Sequence, residues 1–183
     1  MGSAVELFKK YSNQAKVFIE TGTFTGDGIQ RALDAGFEKI YSCDINAEYV
    51  NAAKKKYKNY NVIVENLESQ DFIKKILPSL DERLVFFLDA HSMPFNENIS
   101  SLGFGPDTVK EGVAPCPLLK ELEAIKNHPI KNHYIMIDDF QCFDTWMFEN
   151  LNFNRVNDFI RNDINLKYEP RLWGNVLCYE VGD

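Results

Sequence analysis

Two groups of side chains in this 183-residue sequence are of the types that do chemistry together. Asp89 and His91 follow the apolar stretch Phe86-Phe87-Leu88, and Asp138 and Asp139 follow Ile135-Met136-Ile137. If the two stretches are adjacent strands, these polar residues gather at one sheet edge. Carboxylates brought so close repel one another unless something positive joins them. A hard cation such as Mg²⁺ takes oxygen ligands and keeps positions open for water or a hydroxyl. Asp89, Asp138 and Asp139 are therefore candidate ligands for Mg²⁺ or another divalent cation, which would acidify and orient a bound hydroxyl. His91 is placed to take its proton, with Asp89 beside it. Plainer roles stand next to these. Asp89 could cap a loop or meet a ligand's ammonium, and Asp138 or Asp139 could cap a following helix. His128 and His133 flank a turn and read as surface residues.

A second constellation is the turn Glu20-Thr21-Gly22-Thr23-Phe24-Thr25-Gly26, which follows the apolar run Val17-Phe18-Ile19. A dinucleotide site needs Gly-x-Gly-x-x-Gly so that a diphosphate can approach the helix N-terminus. Counted from Gly22, the second and third glycine positions hold Phe24 and Asp27, so the fingerprint fails. S-adenosylmethionine (SAM) carries no phosphate, and its sulfonium and ammonium tolerate Glu20 and Asp27 nearby. Asp44 ends the next strand-like run, where a carboxylate can accept both ribose hydroxyls. The candidate cofactor residues are Glu20, Thr21, Gly22, Thr23, Phe24 and Gly26 in the turn, Asp44 and Ile45 one strand later, Asn66 and Leu67 near the adenine, and Asp89. The alternative is that Gly22 and Gly26 only shape a turn and Asp44 only caps the helix starting near Ala47.

The elements that must position these residues alternate in type. Strand-like runs cover 17–20, 39–43, 61–65, 84–88 and 134–137, with helix-like segments at 26–36, 47–57, 69–77 and 117–127 between them. Thr25 is the expected N-cap of the first helix and Gly36 its stop, and Pro78 and Pro117 mark a helix end and a helix start. After a helical or irregular stretch to Asn165, two β-rich runs flank Trp173-Gly174-Asn175, which reads as a hairpin with a Gly-Asn turn. The fold expected is α/β: a Rossmann-like, doubly wound, mostly parallel sheet ordered 3-2-1-4-5, with a C-terminal antiparallel hairpin and helices on both faces.

Length and composition suit one domain over 1–183. Met1-Gly2-Ser3 reads as a cloning remnant, so the chain could be excised from something larger. The net charge of −7 argues against nucleic acid as a partner. No run is long and apolar enough to span a membrane. The four cysteines, Cys43, Cys116, Cys142 and Cys178, form no Cys-x-x-Cys pair; Cys43 and Cys178 fall in apolar strand-like runs and read as buried free thiols of a cytoplasmic protein. The long segment Ser92 to Pro115 lies where a lid or substrate loop would sit. Phe95, Phe104, Phe140, Phe143 and Trp146 are candidates for lining an acceptor pocket.

Taken in order, Phe18-Ile19-Glu20-Thr21-Gly22-Thr23, Asp44, Leu88-Asp89-Ala90-His91, Cys116-Pro117-Leu118-Leu119-Lys120-Glu121-Leu122 and Ile137-Asp138-Asp139 resemble class I SAM-dependent methyltransferases, in particular the macrocin O-methyltransferase-like and FkbM-like group. The resemblance covers Val17 to Phe143. It implies metal ligands at Asp89, Asp138 and Asp139, and a general base at the position of His91, where the family more usually carries Asp. It implies methyl transfer to a hydroxyl of a sugar, glycan or related small molecule. The rivals are an NAD-dependent oxidoreductase, against which the failed fingerprint speaks; a methyltransferase of protein or nucleic acid; and a non-catalytic methyltransferase-like binding module.

Overall fold

The computed structural model describes residues 4–91, 116–145, 148 and 150–182. Seven strands form one sheet: β1 Val17–Thr21, β2 Lys39–Asp44, β3 Val62–Asn66, β4 Leu84–Leu88, β5 Tyr134–Ile137, β6 Arg171–Trp173 and β7 Val176–Glu180. Their order is β3-β2-β1-β4-β5-β7-β6. β1 to β5 run parallel, and β7 pairs antiparallel with both β5 and β6. This is the expected doubly wound sheet with its terminal hairpin, turned by Gly174-Asn175 between the paired Trp173 and Val176. Gly174 has φ +62°, which glycine adopts without strain.

The central strands are apolar on both sides because both faces are covered. Val17 and Ile19 of β1, Phe86 and Leu88 of β4, and Ile135 and Ile137 of β5 pack with α4 (Ser69–Ile76), α5 (Leu118–Lys126) and α6 (Phe153–Phe159). Phe18, Val85, Phe87 and Met136 point the other way, onto α1 (Ala4–Ser12), α2 (Asp27–Ala35) and α3 (Ala47–Lys56). α6 continues into a π-helical turn over Ile160–Asn165.

The register levels the strand ends that carry the site. Thr21 pairs with Cys43 on one side and Leu88 on the other, and Leu88 pairs with Ile137. The residues after β1, β2, β4 and β5 therefore leave the sheet at one edge, where an open parallel sheet binds its ligands.

Three details differ from the sequence reading. α1 is additional; its Leu7, Phe8 and Tyr11 pack against the sheet. Thr25 is exposed and does not cap α2. Gly26, at φ +83°, holds the N-cap position instead, and its carbonyl accepts the Tyr57 hydroxyl at 2.7 Å. His128 and His133 are not surface residues: they are 2% and 1% exposed. Leu84 N–H donates to His133 Nδ1 at 3.1 Å, so His133 carries its proton on Nε2. That nitrogen donates to His128 Nδ1 at 3.0 Å, and His128 Nε2 donates to Leu80 O at 2.8 Å. The imidazoles satisfy main-chain groups that would otherwise be buried unpaired, which is why they lie inside.

Candidate active site

The glycine turn is hooked onto the neighbouring strands by its backbone. Gly22 N and Thr23 N both donate to Cys43 O at 3.0 Å. Gly22 has φ +85°, and a Cβ there would sit 2.7 Å from the carbonyl of Asp89. Glycine is thus required by conformation and by the approach of the chain leaving β4. Asp44 holds the outer side of the turn. Its Oδ2 accepts Phe24 N and its Oδ1 accepts Asn46 N, both at 2.8 Å. The first of these fixes Phe24 at φ +44°, a strained value for a residue with a side chain. Asn46, not Asp44, caps α3, by accepting Glu48 N. Asp44 is half-buried, and burial raises its pKa against the pull of these N–H groups.

The other predicted cofactor residues divide into a floor and a rim. Glu20, Thr21 and Thr23 are buried beneath the turn. Ser42 Oγ donates to Glu20 Oε2 at 2.6 Å, and the Thr23 hydroxyl lies 2.6 Å from Ser42 Oγ. Burial pushes Glu20 up to about 8 despite the Ser42 bond, so near neutrality it is largely protonated. Gly28 lies against it: a Cβ there would fall 1.7 Å from Glu20 Oε1. Thr21 O accepts Asp89 N at 3.2 Å, tying the turn to β4. At the rim, Phe24 packs edge-on to Tyr49 with ring centres 5.0 Å apart. Ile45 is 37% exposed, Leu67 is half-buried, and Asn66 donates to Asp44 O at 2.9 Å.

The acidic residues after β4 and β5 do meet. His91 Nε2 lies 2.8 Å from Asp139 Oδ2 and 3.9 Å from Asp89 Oδ1. Its ring centre is 5.4 Å from that of Phe148. Asp138 is turned toward its own main chain, where Oδ1 accepts Asp139 N at 2.8 Å. Asp139 sits in the left-handed region at φ +54°. Its Oδ1 accepts Gln141 Nε2 at 2.7 Å and Asn175 Nδ2 at 2.9 Å. The bond to His91 holds the Asp139 carboxyl below its usual range, while burial, with Asp138 close by, pushes Asp89 well above it.

Among the described residues, one metal-competent group emerges, with ligand atoms of Asp89, His91 and Asp139 within 4.8 Å of one another. It differs from the expected set by taking His91 in and leaving Asp138 out. One imidazole nitrogen with two carboxylates fits a divalent transition ion better than Mg²⁺.

Sequence reasoning missed three residues here. Glu121 on α5 is 1% exposed, and its Oε1 is buried with no hydrogen-bond partner among the described residues. Burial pushes it up to about 7, against the Ser69 and Thr21 hydroxyls and His91. An acid on the apolar stripe Leu118, Leu122, Ile125 is the signal that marks it. Gln141 and Asn175 left no comparable signal. Of the pocket aromatics, Phe143 is buried and Phe140 half-buried, both in the cluster with Phe148 and Phe153. Phe95, Phe104, Trp146 and the segment Ser92 to Pro115 lie outside the described residues.

No family model matches the chain, and no curated protein sequence does. Solved structures share its fold. A protein from Clostridium thermocellum assigned as an rRNA methylase superposes with a TM-score of 0.66 at 12% identity, over 100% of this chain and 99% of that one. An O-methyltransferase from Bacillus cereus in complex with S-adenosylhomocysteine gives 0.63 at 12% identity, over 100% and 83%. A Podospora anserina methyltransferase, also bound to S-adenosylhomocysteine, gives 0.62 at 12% identity, over 100% and 80%.

Proposed function

We propose that this chain is one SAM-dependent methyltransferase domain that methylates a hydroxyl of a sugar, glycan or related small molecule. The observation that carries the reading is Asp44. Its carboxylate is fixed by Phe24 N and Asn46 N at the mouth of a turn lacking the dinucleotide glycines, and it keeps acceptor capacity for a ribose hydroxyl. The fold shared with methyltransferases that hold S-adenosylhomocysteine supports it. Glu20, Thr21 and Thr23 act as the floor of the cradle. Gly22, Phe24, Gly26, Ile45, Asn66 and Leu67 form its walls, and Asp89 faces the methionine end.

The acceptor oxygen attacks the sulfonium methyl in line. The O–CH₃ bond forms as the S–CH₃ bond breaks, and S-adenosylhomocysteine leaves. The protein contributes alignment and a proton acceptor. His91 is that acceptor. With its Nε2–H given to the ionised Asp139, the unprotonated nitrogen is Nδ1, and Asp139 steadies the imidazolium that forms. A net charge of −7 favours a small acceptor over nucleic acid, although two structural neighbours are assigned to rRNA. The free thiols Cys43, Cys142 and Cys178 support a cytoplasmic setting.

A divalent cation is the second reading, favoured by the proximity of Asp89, His91 and Asp139. Bound there, it would supply acidification of the acceptor hydroxyl. It competes with the base reading, because a ligating Nε2 cannot keep its proton.

Calorimetry with SAM, S-adenosylhomocysteine and NAD tests the cofactor. Binding of the first two and not the third is expected; binding of NAD alone overturns the reading in favour of an oxidoreductase. Bound SAM with no methylation across a panel of sugars and phenols supports a binding module instead. Mn²⁺ titration followed by electron paramagnetic resonance tests the cation, which is dropped if His91→Ala leaves Mn²⁺ affinity unchanged.

A further inference from the structure

The carboxylate that faces His91 belongs to a strained residue, and what fixes it comes from far away in the chain. Asp139 is a non-glycine residue at φ +54°, ψ +43°, a conformation that persists only where neighbours impose it. The neighbour is Asn175, in the turn of the β6–β7 hairpin. Its main-chain oxygen accepts Phe140 N at 3.0 Å. Its side-chain Oδ1 accepts Gln141 N at 3.1 Å, and its Nδ2 donates to Asp139 Oδ1 at 2.9 Å. Asn175 thus grips three successive residues, two through its side-chain amide and one through its main-chain carbonyl, and leaves Oδ2 of Asp139 pointing at His91 Nε2, 2.8 Å away.

We propose that Asn175 is a positioning residue for the His91–Asp139 pair, fixing through its Nδ2 donor the carboxylate that sets the His91 tautomer. This deepens the reading of His91 as base and rests on it. No other residue type fits the position as well. An amide offers a donor and an acceptor on adjacent atoms. Aspartate keeps the acceptor for Gln141 N but turns a second anion toward Asp139 Oδ1. Alanine keeps only the main-chain bond to Phe140 N. Gln141 Nε2 also reaches Asp139 Oδ1, but from an exposed side chain that bears on Asp139 alone.

The tautomer of His91 reads this directly and needs no acceptor substrate. Long-range ¹H–¹⁵N spectra of the imidazoles are recorded with EDTA present, so that no cation occupies Nε2. His128 and His133, both fixed as Nε2–H by their relay, report an intact fold in the same spectrum. Wild type is expected to show His91 as a single Nε2–H tautomer. Asn175→Asp and Asn175→Ala are both expected to lose that signature and show a mixture, with the His128 and His133 signals unmoved. If both variants keep the single tautomer, the proposal is overturned. If Asn175→Ala loses it and Asn175→Asp keeps it, the residue acts only in the turn, and the Nδ2 donor has no role. Should Asn175→Ala fail to fold, Asn175→Asp decides alone. Calorimetry of the same variants with S-adenosylhomocysteine separates the premise from the inference. Binding within twofold of wild type is expected; wild type failing to bind removes the methyl-transfer reading, whereas the tautomer result still stands or falls by itself.

Discussion

At the scale of single residues, the proposed cofactor cradle depends on groups whose hydrogen-bonding capacity would be divided between fold and ligand. Asp44 holds Phe24 N and Asn46 N while serving as the proposed ribose acceptor. Asp44→Ala is therefore expected to weaken S-adenosylhomocysteine binding at least about tenfold, since a hydrogen bond to a charged group contributes about 1.5–3 kcal/mol. Calorimetry checks this; unchanged affinity would remove Asp44 from the site. Gly28 tests the floor. Gly28→Ala drives a Cβ to 1.7 Å from Glu20 Oε1, a buried carboxyl held by Ser42. A loss of about 1–3 kcal/mol is expected by urea denaturation. In a Glu20→Ala background the same change should instead stabilise, by up to about 1 kcal/mol, as alanine replaces glycine in a helix. A penalty of equal size in both backgrounds would show that the contact with Glu20 is not its cause. The sequence signalled Asp44 and Gly22 because a strand end and a turn are local patterns. It did not signal the Glu20–Gly28 contact, which depends on how α2 settles on β1.

At the scale of elements, what could be read and what could not follow from the range of the interactions. The parallel strands were legible because burial on both faces demands unbroken apolar runs such as Leu84-Val85-Phe86-Phe87-Leu88. The hairpin was legible from Gly174-Asn175. α1 was not read, although Leu7, Phe8 and Tyr11 lie on one helical face, because no cap or periodic run longer than two turns announces it. The His128–His133 relay was invisible for another reason. It joins the loop before β4 to the loop before β5, and only their meeting in space makes two polar rings core residues. Removing one ring should release both loops. His128→Ala strands Leu80 O, a buried group costing about 1–3 kcal/mol when unpaired, and leaves the His133 ring N–H with the Ile130 carbonyl alone. Hydrogen exchange should quicken at Leu84 N and in neighbouring β4 amides, while β2 and β3 keep their protection. Uniform quickening across the sheet would mean that the relay supports global stability and not these two loops.

At the scale of the whole molecule, the buried histidine and the buried glutamates set opposing demands on pH. His133 is held down to about 3 by burial, with His128 adding to it, from an ordinary value of 6.5. A depressed histidine gives stability that is present above 6.5 and lost as pH falls toward 3, because only the unfolded chain takes up the proton. Glu20 and Glu121 act in reverse. Burial raises them from 4.5 to about 8 and about 7, so the folded chain holds protons that the unfolded chain releases. Their contribution is complete below 4.5 and is lost as pH rises through those values. Asp44, Asp89 and Asp138 are raised as well and add to the glutamate side; Asp139, held low by His91, opposes it. Above pH 6.5 the histidine contribution no longer changes, and that of the glutamates still falls. The melting temperature of the unliganded protein is therefore expected to fall as pH rises from 6.5 to about 8. The size is on the order of a few kcal/mol, at 1.36 kcal/mol for each unit of displacement. Glu20→Gln keeps an acceptor for Ser42 but cannot titrate, so it should remove much of the fall while leaving the acid limb set by His133 in place. A wild-type melting temperature that stays level or climbs over this range would mean that Glu20 is ionised in the native protein, and that its carboxylate stands ready as a partner for a cationic ligand.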